Sequence, residues 1–249
     1  MNDSAITMKD VRKNFGASQI IRGLTLDVRR GERHALIGPN GAGKSTTFGL
    51  LSGGIAPTSG QILLNGKSIG GLLPEAIYRR GLSRSFQISN LFPSLSVFEN
   101  LRCGVLWTRG VSYAFWKRID DIAEVHTRVE EVLELIGLAH RAATPAGYLS
   151  YAEQRALEIG IAVAGGGEVL LLDEPTAGMS AAETRAAVEL IRKVSKNKTL
   201  LMVEHDMGVV FDLADRISVL VYGEVIATDT PEGIRRNELV RQAYLGTEN

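Results

Sequence analysis

Cysteine is nearly absent: Cys103 is the only one in 249 residues. That excludes an internal disulfide framework and suits a reducing compartment. The lone thiol is expected to act as a small semi-buried hydrophobe. Neither sign of charge is in excess, with Lys+Arg and Asp+Glu at 28 each, so nothing argues for nucleic acid as a partner. Apolar runs stop at four residues, as at Val169–Leu172, far short of the ~20 that a bilayer-spanning helix requires. The opening Met1-Asn2-Asp3-Ser4 has neither a basic nor an apolar leader region, so no signal peptide is expected. A soluble, cytosolic chain follows, and any role at a membrane requires other chains to supply the spanning segments. Repeats and low-complexity linkers are also missing, which favours one domain with subdomains. The 45% hydrophobic content is ample for one large core or two modest ones.

What the chain does contain is Gly38-Pro39-Asn40-Gly41-Ala42-Gly43-Lys44-Ser45-Thr46, which satisfies G-x-x-x-x-G-K-[ST] at every fixed position. Ala35-Leu36-Ile37 leads in as a strand, and Thr47–Leu51 leaves as a helix-compatible segment, the context this motif needs. Glycines let backbone amides crowd a polyphosphate, and the helix N-terminus offers unpaired N–H groups. Lys44 is expected to reach the β- and γ-phosphates and the Ser45 hydroxyl to ligate Mg²⁺. A nucleoside triphosphate site is therefore predicted.

Val169-Leu170-Leu171-Leu172-Asp173-Glu174 reads as a buried strand ending in carboxylates. Asp173 falls at the strand's carboxyl end, where open α/β sheets bind ligands, and is expected to hold Mg²⁺ through water. Glu174, one residue on, is expected to orient and deprotonate the attacking water. In Leu149-Ser150-Tyr151-Ala152-Glu153-Gln154, Ser150 and Glu153 form a capping box. The bland reading is a well-capped helix. The sharper one is a second anion site at that helix N-terminus, which in a chain that already has a phosphate loop would serve the nucleotide of a partner subunit.

Strand-like runs recur at Val169–Asp173, Thr199–Val203 and Ile217–Val221, separated by helical segments, so an α/β core with a largely parallel sheet is predicted. Residues up to about Val28 and Gln61–Leu64, followed by the turn Asn65-Gly66, read as an antiparallel sheet beside it. From about Leu91 to Val163 the chain reads helical: Ile122, Val125, Val129, Val132 and Ile136 keep helical spacing, with Gly137 as C-cap.

Five motifs in order resemble the ATP-binding-cassette (ABC) ATPases across nearly the whole chain. They are the phosphate loop, Gln87 in Arg84-Ser85-Phe86-Gln87, the LSYAEQ segment, the strand ending in Asp173-Glu174, and His205 in Val203-Glu204-His205-Asp206. The resemblance implies an α/β P-loop NTPase (RecA-like) core with an antiparallel β subdomain and an inserted α-helical subdomain. Residues 1–249 would form a single domain, with the β subdomain at about 1–30 and 60–70 and the helical one at about 91–163. It implies a head-to-tail homo- or heterodimer sandwiching ATP between the phosphate loop of one subunit and Ser150-Tyr151-Ala152-Glu153 of the other. Phe15 would stack on adenine, Gln87 would touch Mg²⁺ and the water while sensing a transmembrane partner, and His205 would contact the γ-phosphate. The partners implied are two transmembrane permease subunits and, indirectly, a periplasmic or extracellular solute-binding protein, with the chain held peripherally at the cytoplasmic face of the inner membrane.

The texture of Gly81–Gln87, Leu91-Phe92-Pro93, Ser96–Leu101, Ala177–Ser180 and Ala243–Gly246 is similar to branched-chain amino acid importer ATPases, including an insertion at about Leu106–Ile119 with Trp107 and Trp116. Urea or amide importer ATPases, the lipopolysaccharide-export ATPase and a soluble non-transport ABC ATPase are the alternatives. Ala152 stands where the family's signature usually has glycine, and Ser180 where many members have aspartate. Ser180 with Glu183 nonetheless keeps a capping box. Of the apolar residues Phe86, Leu91, Phe92, Leu95, Val97 and Phe98, about half are expected to fill the helical subdomain's own core, and a docking groove for a membrane subunit is expected around residues 86–101, with Leu91, Phe92 and Val97 its exposed members.

Overall fold

A computed structural model describes residues 3–85, 91–108 and 123–245. Strands β1 (Ser4–Phe15) and β2 (Ser18–Arg29) are antiparallel partners. Leu24, Leu26 and Val28 are buried at alternate positions of β2, the period of a strand with one face on a core. β3 (Arg33–Ile37) enters a second sheet and runs into α1 (Lys44–Leu51). β4 (Ser59–Leu64) and β5 (Lys67–Ser68) complete the first sheet in the order β2-β1-β4-β5, antiparallel throughout. Asn65 and Gly66 join them at φ 48° and 76°, the two-residue turn with both central φ values positive that Asn-Gly favours.

After α2 (Pro74–Tyr78) and β6 (Leu82–Arg84) come three helices, α3 (Val97–Thr108), α4 (Ala123–Leu135) and α5 (Tyr151–Ala164). They enclose their own core around Val97, Leu101, Val129, Val132 and Leu157. The expected stripe appears as Val125, Val129 and Val132 inside α4, while Ile136 falls just past the helix end, still buried. Ile122 and nearly all of the expected 106–119 insertion lie outside the described residues. Gly137, at φ 74°, ends α4 in a Schellman motif: its N–H donates to Glu134 (3.3 Å) and that of Leu138 to Leu133 (2.9 Å). Cys103 is exposed rather than semi-buried, because α3 turns Val97, Leu101 and Val105 inward instead.

β7 (Val169–Asp173), α6 (Ala181–Val194), β8 (Thr199–Val203), α7 (Met207–Leu213), β9 (Arg216–Val221), β10 (Glu224–Asp229), α8 (Pro231–Arg236) and α9 (Glu238–Leu245) follow. The second sheet has the order β10-β9-β3-β8-β7-β6, parallel except for the antiparallel β9–β10 pair. Every residue of β7 and β8 is buried. Leu171, Leu201 and Val203 join the core shared with the first sheet, and Leu170, Leu172, Leu200 and Met202 join the core on the opposite face. Burial on both faces is why these strands read as continuous apolar runs.

A polar chain, buried at His34 and Ser218 and ending at exposed Thr228, links β3, β9 and β10. His34 Nδ1 lies 2.8 Å from Glu32 Oε1 and its Nε2 2.8 Å from Ser218 Oγ, which is 2.7 Å from Thr228 Oγ1. Burial disfavours the Glu32 carboxylate, but hydrogen bonds from His34 and the Arg29 N–H, with the Arg216 charge nearby, outweigh it and hold the pKa below the ordinary value. The stability this carboxylate contributes is present above the unfolded-state pKa and is lost as pH falls through the lowered folded value. Glu32→Gln should therefore cost about 1–3 kcal/mol at neutral pH and flatten the acid limb of a melting-temperature profile below about pH 4. Parallel wild-type and variant profiles would show that the carboxylate contributes nothing.

Candidate functional site

The parallel register brings three strand ends to one level. Leu36 of β3 pairs with Val203 of β8, and Val203 pairs with Asp173 of β7. Gly38, Asp173-Glu174 and Glu204-His205 therefore leave the sheet side by side at its carboxyl edge, where such sheets bind ligands.

In the loop 38–46, Gly41 and Gly43 have φ 78° and 108°, and Gly43 is the N-cap of α1. Gly38 meets a different demand: a Cβ there would lie 2.1 Å from the Leu220 carbonyl oxygen. The turn between β9 and β10, Tyr222-Gly223 at φ 48° and 81°, braces the loop. Gly223 N–H donates to Ala42 O (2.9 Å), and Gly223 O accepts from Arg22 N–H (3.0 Å). Lys44 Nζ donates to Gly38 O (2.6 Å) and Pro39 O (3.1 Å). Burial pulls its pKa below the ordinary lysine value, while the Glu174 and Asp173 carboxylates work the other way. Asn40, Gly41 and Ser45 are exposed, Pro39 and Thr46 half-buried, and Ala42 buried. Phe15 is 50% exposed, with Lys13 Nζ 4.8 Å from its ring centroid, so it is not a core aromatic.

Asp173 is 2% exposed and accepts from Arg84 Nη2 at 2.9 Å. Arg84 also donates to Ser52 Oγ (2.8 Å) and lies over the Phe48 ring. Glu174 takes φ 47°, a left-handed conformation that few non-glycine residues adopt, and its Oε1 sits 3.0 Å from His205 Nε2. Glu204 is buried: one oxygen accepts from the Thr176 N–H (2.8 Å) and hydroxyl (2.7 Å), the other from the His205 N–H (3.0 Å). It fastens the loop after β7 to the loop after β8. Sequence reasoning missed Arg84 and Glu204. Their only signal was a charged residue flanking an apolar strand, which reads as solvent-facing.

Both capping boxes form. Glu153 N–H donates to Ser150 Oγ (3.3 Å) and Ser150 N–H to Glu153 Oε2 (2.8 Å); Ser180 and Glu183 repeat the pattern. Tyr151 hydroxyl donates to Ala177 O (2.8 Å), docking the first turn of α5 onto the segment before α6. Among the described residues, no hydrogen bond joins 150–153 to 38–46.

Known proteins match at the level of the whole chain. The ABC transporter family profile matches residues 21–177, and that of branched-chain amino acid ATP-binding cassette transporters matches 224–248. The high-affinity branched-chain amino acid transport ATP-binding protein LivG of Salmonella typhimurium is 37% identical over 260 residues, covering 99% of each chain. The chain belongs to the ABC transporter family. An ATP-binding cassette solved in its ADP conformation aligns with a TM-score of 0.84 at 25% identity, covering 98% of this chain and 99% of the other. A dimeric bacterial ABC transporter cassette aligns at 0.76 and 25%, covering 91% and 98%.

In this ABC ATPase, Gln87 and Phe86 lie outside the described residues. Of the three groove residues expected to be exposed, only Phe92 is: Val97 is fully buried in the helical core, because it opens α3 beside Leu101, and Leu91 packs half-buried against the same core. Leu91, Leu95 and Phe98 are half-buried, and Phe92 is 54% exposed. Asn100 holds this turn, accepting from the Phe92 N–H (2.9 Å) and donating to the carbonyls of Phe92, Leu95 and Ser96.

Gly38→Ala should disable the site through its frame, since the new methyl would collide with backbone rather than with a flexible side chain. Overpacking of this kind costs about 1–3 kcal/mol. Thermal melts and ATP-binding titrations should show both a lower melting temperature and weakened nucleotide affinity. Unchanged values in both would refute the steric account.

Proposed function

We propose that this ABC ATPase energises import of branched-chain amino acids, working as one of a head-to-tail pair at the cytoplasmic face of the inner membrane, held there by two permease subunits. A periplasmic or extracellular solute-binding protein would deliver the solute. The observation that carries this reading is the end-to-end likeness to LivG, together with the profile match at 224–248. Residues 1–249 would act as a single ATPase domain, with the antiparallel sheet and helical unit as its subdomains.

Within the site, Lys44 and the amides of 38–46 would bind the β- and γ-phosphates. Lys44 donates to two backbone carbonyls, and a phosphate would be the stronger acceptor. Asp173 and Ser45, with Gln87, have the oxygen chemistry to hold Mg²⁺, which would neutralise phosphate charge. Phe15, half exposed, would offer its ring to adenine. Glu174 would take the proton of the attacking water, with His205 fixing its carboxylate and facing the γ-phosphate. Ser150, Tyr151, Ala152 and Glu153 would present a capped helix N-terminus to the partner's nucleotide. The serine at 180 leaves that cross-subunit contact without a carboxylate.

Glu174→Gln should keep ATP binding and lose hydrolysis by ~10²–10⁴-fold, whereas Lys44→Ala should lose binding itself. With ATP and Mg²⁺, Glu174→Gln should dimerise in light scattering, and adding Ser150→Arg should abolish the dimer. Near-normal turnover by Glu174→Gln would remove Glu174 as the base.

Phe92, its backbone held by Asn100, together with Leu91 would receive a short helix of a permease subunit. Phe92→Asp should leave hydrolysis by the isolated subunit within about twofold, since the side chain is already in solvent. It should also cut co-purification with the permease subunits and solute uptake. Normal uptake would place the docking surface elsewhere.

A further inference from the structure

A cavity of about 140 Å³ lies between α5 and α6, behind the first turns of both helices. Its floor is aliphatic, with Ala156, Ile159, Ala187 and Leu190, and two opposite charges line it, Arg155 and Glu183. These charges do not pair with one another. Arg155 engages Glu158 through Nη1 (2.8 Å) and the Tyr151 hydroxyl through Nε (3.2 Å), and Glu183 engages Ser180 through Oε2. Among the described residues, Nη2 of Arg155 and Oε1 of Glu183 carry no hydrogen bond. An aliphatic hollow flanked by one open N–H arm of a guanidinium already paired with Glu158 and by one open carboxylate oxygen complements a zwitterion carrying a branched alkyl group. A dry cavity of ~150 Å³ is enough for a six-carbon ring, so the hollow accommodates the side chain of leucine, isoleucine or valine with the head group at its mouth.

We propose that this cavity binds an aliphatic α-amino acid from the cytoplasm and that the bound molecule restrains the ATPase. The proposal deepens the importer reading and rests on it, because it makes the imported solute the occupant. Its effect follows from position. The helix starts at Ser150 and Ser180 are held as one block by the hydrogen bond from Tyr151 to Ala177. With the side chain in the hollow, the head group at its mouth would bridge Arg155 of α5 and Glu183 of α6, fixing the two helices relative to each other and so altering the face offered to the partner's nucleotide. Amino acid and nucleotide-driven dimer then oppose each other, and the opposition is reciprocal.

The test is calorimetric titration of the full chain with L-leucine, alone and in the presence of ATP and Mg²⁺. Millimolar-range binding is expected, weakened about fivefold or more by ATP. Isocaproate, which lacks the ammonium, and isoamylamine, which lacks the carboxylate, should bind much more weakly than leucine. Ala187→Leu and, separately, Ala156→Leu should fill the hollow and abolish leucine binding; two fillers on different helices guard against one that misfolds. Absence of leucine binding to the wild-type chain, equal binding of isocaproate, or leucine binding retained by a folded filling variant would each overturn the proposal. Uptake of labelled leucine by the assembled transporter tests the importer reading separately. Intact uptake without binding to this chain defeats the cavity alone. Uptake of a different solute, with leucine binding still lost on filling, defeats the importer reading and leaves the cavity standing.

Discussion

Everything at the candidate site depends on the pairing of β3, β8 and β7 in parallel register. Side chains in a parallel sheet alternate faces with a period of two, so a one-residue slip would exchange the two cores and displace every strand end. The register that matches Leu36 with Val203 and Val203 with Asp173 is secured because both faces of these strands are buried in separate apolar clusters. Glu174 and His205, far apart in the chain, come within 3.0 Å only because their strands end together.

The strand ends alone would leave loops free to move, and a second layer of contacts restrains them. Glu204 ties Thr176 to His205, and the β9–β10 turn supports Ala42. Arg84 from the edge strand β6 meets the Asp173 carboxylate. Each is a buried or half-buried polar contact, so removing one partner strands the other in a low-dielectric setting, where an unmatched polar group is costly. The arrangement at the strand ends is thereby held to the sheet. Ser150 and its helix, by contrast, are anchored to the segment before α6 through Tyr151 and stand on the smaller helical core. Displacement of α5 would be felt by residues 177–180, which gives the two helix starts a common response to anything that enters between them.

Much of this was legible along the chain. The phosphate loop, the capping boxes at Ser150 and Ser180, the Asn65-Gly66 turn and the Gly137 helix end all formed where sequence placed them. Each depends on hydrogen bonds or φ values set within about five residues. The apolar runs of β7 and β8 identified themselves for a related reason, since complete burial leaves no polar position. The order of ABC motifs added the family, and with it the fold class.

Tertiary structure alone decided which side chains face each other across long separations. Arg84 and Asp173, Glu204 and Thr176, and Gly223 and Ala42 are pairs whose partners no local pattern announces. It sent Val97 into the helical core and left Phe92 and Cys103 outside, because the direction of α3 is set by α4 and α5 and not by its own composition. It also made Gly38 obligatory for a neighbour, Leu220, as much as for any ligand. Local sequence determines turns, caps and the identity of buried strands because their energies are local. The facing of charged groups and the hollow between α5 and α6 come from how elements pack, and packing is a property of the whole chain.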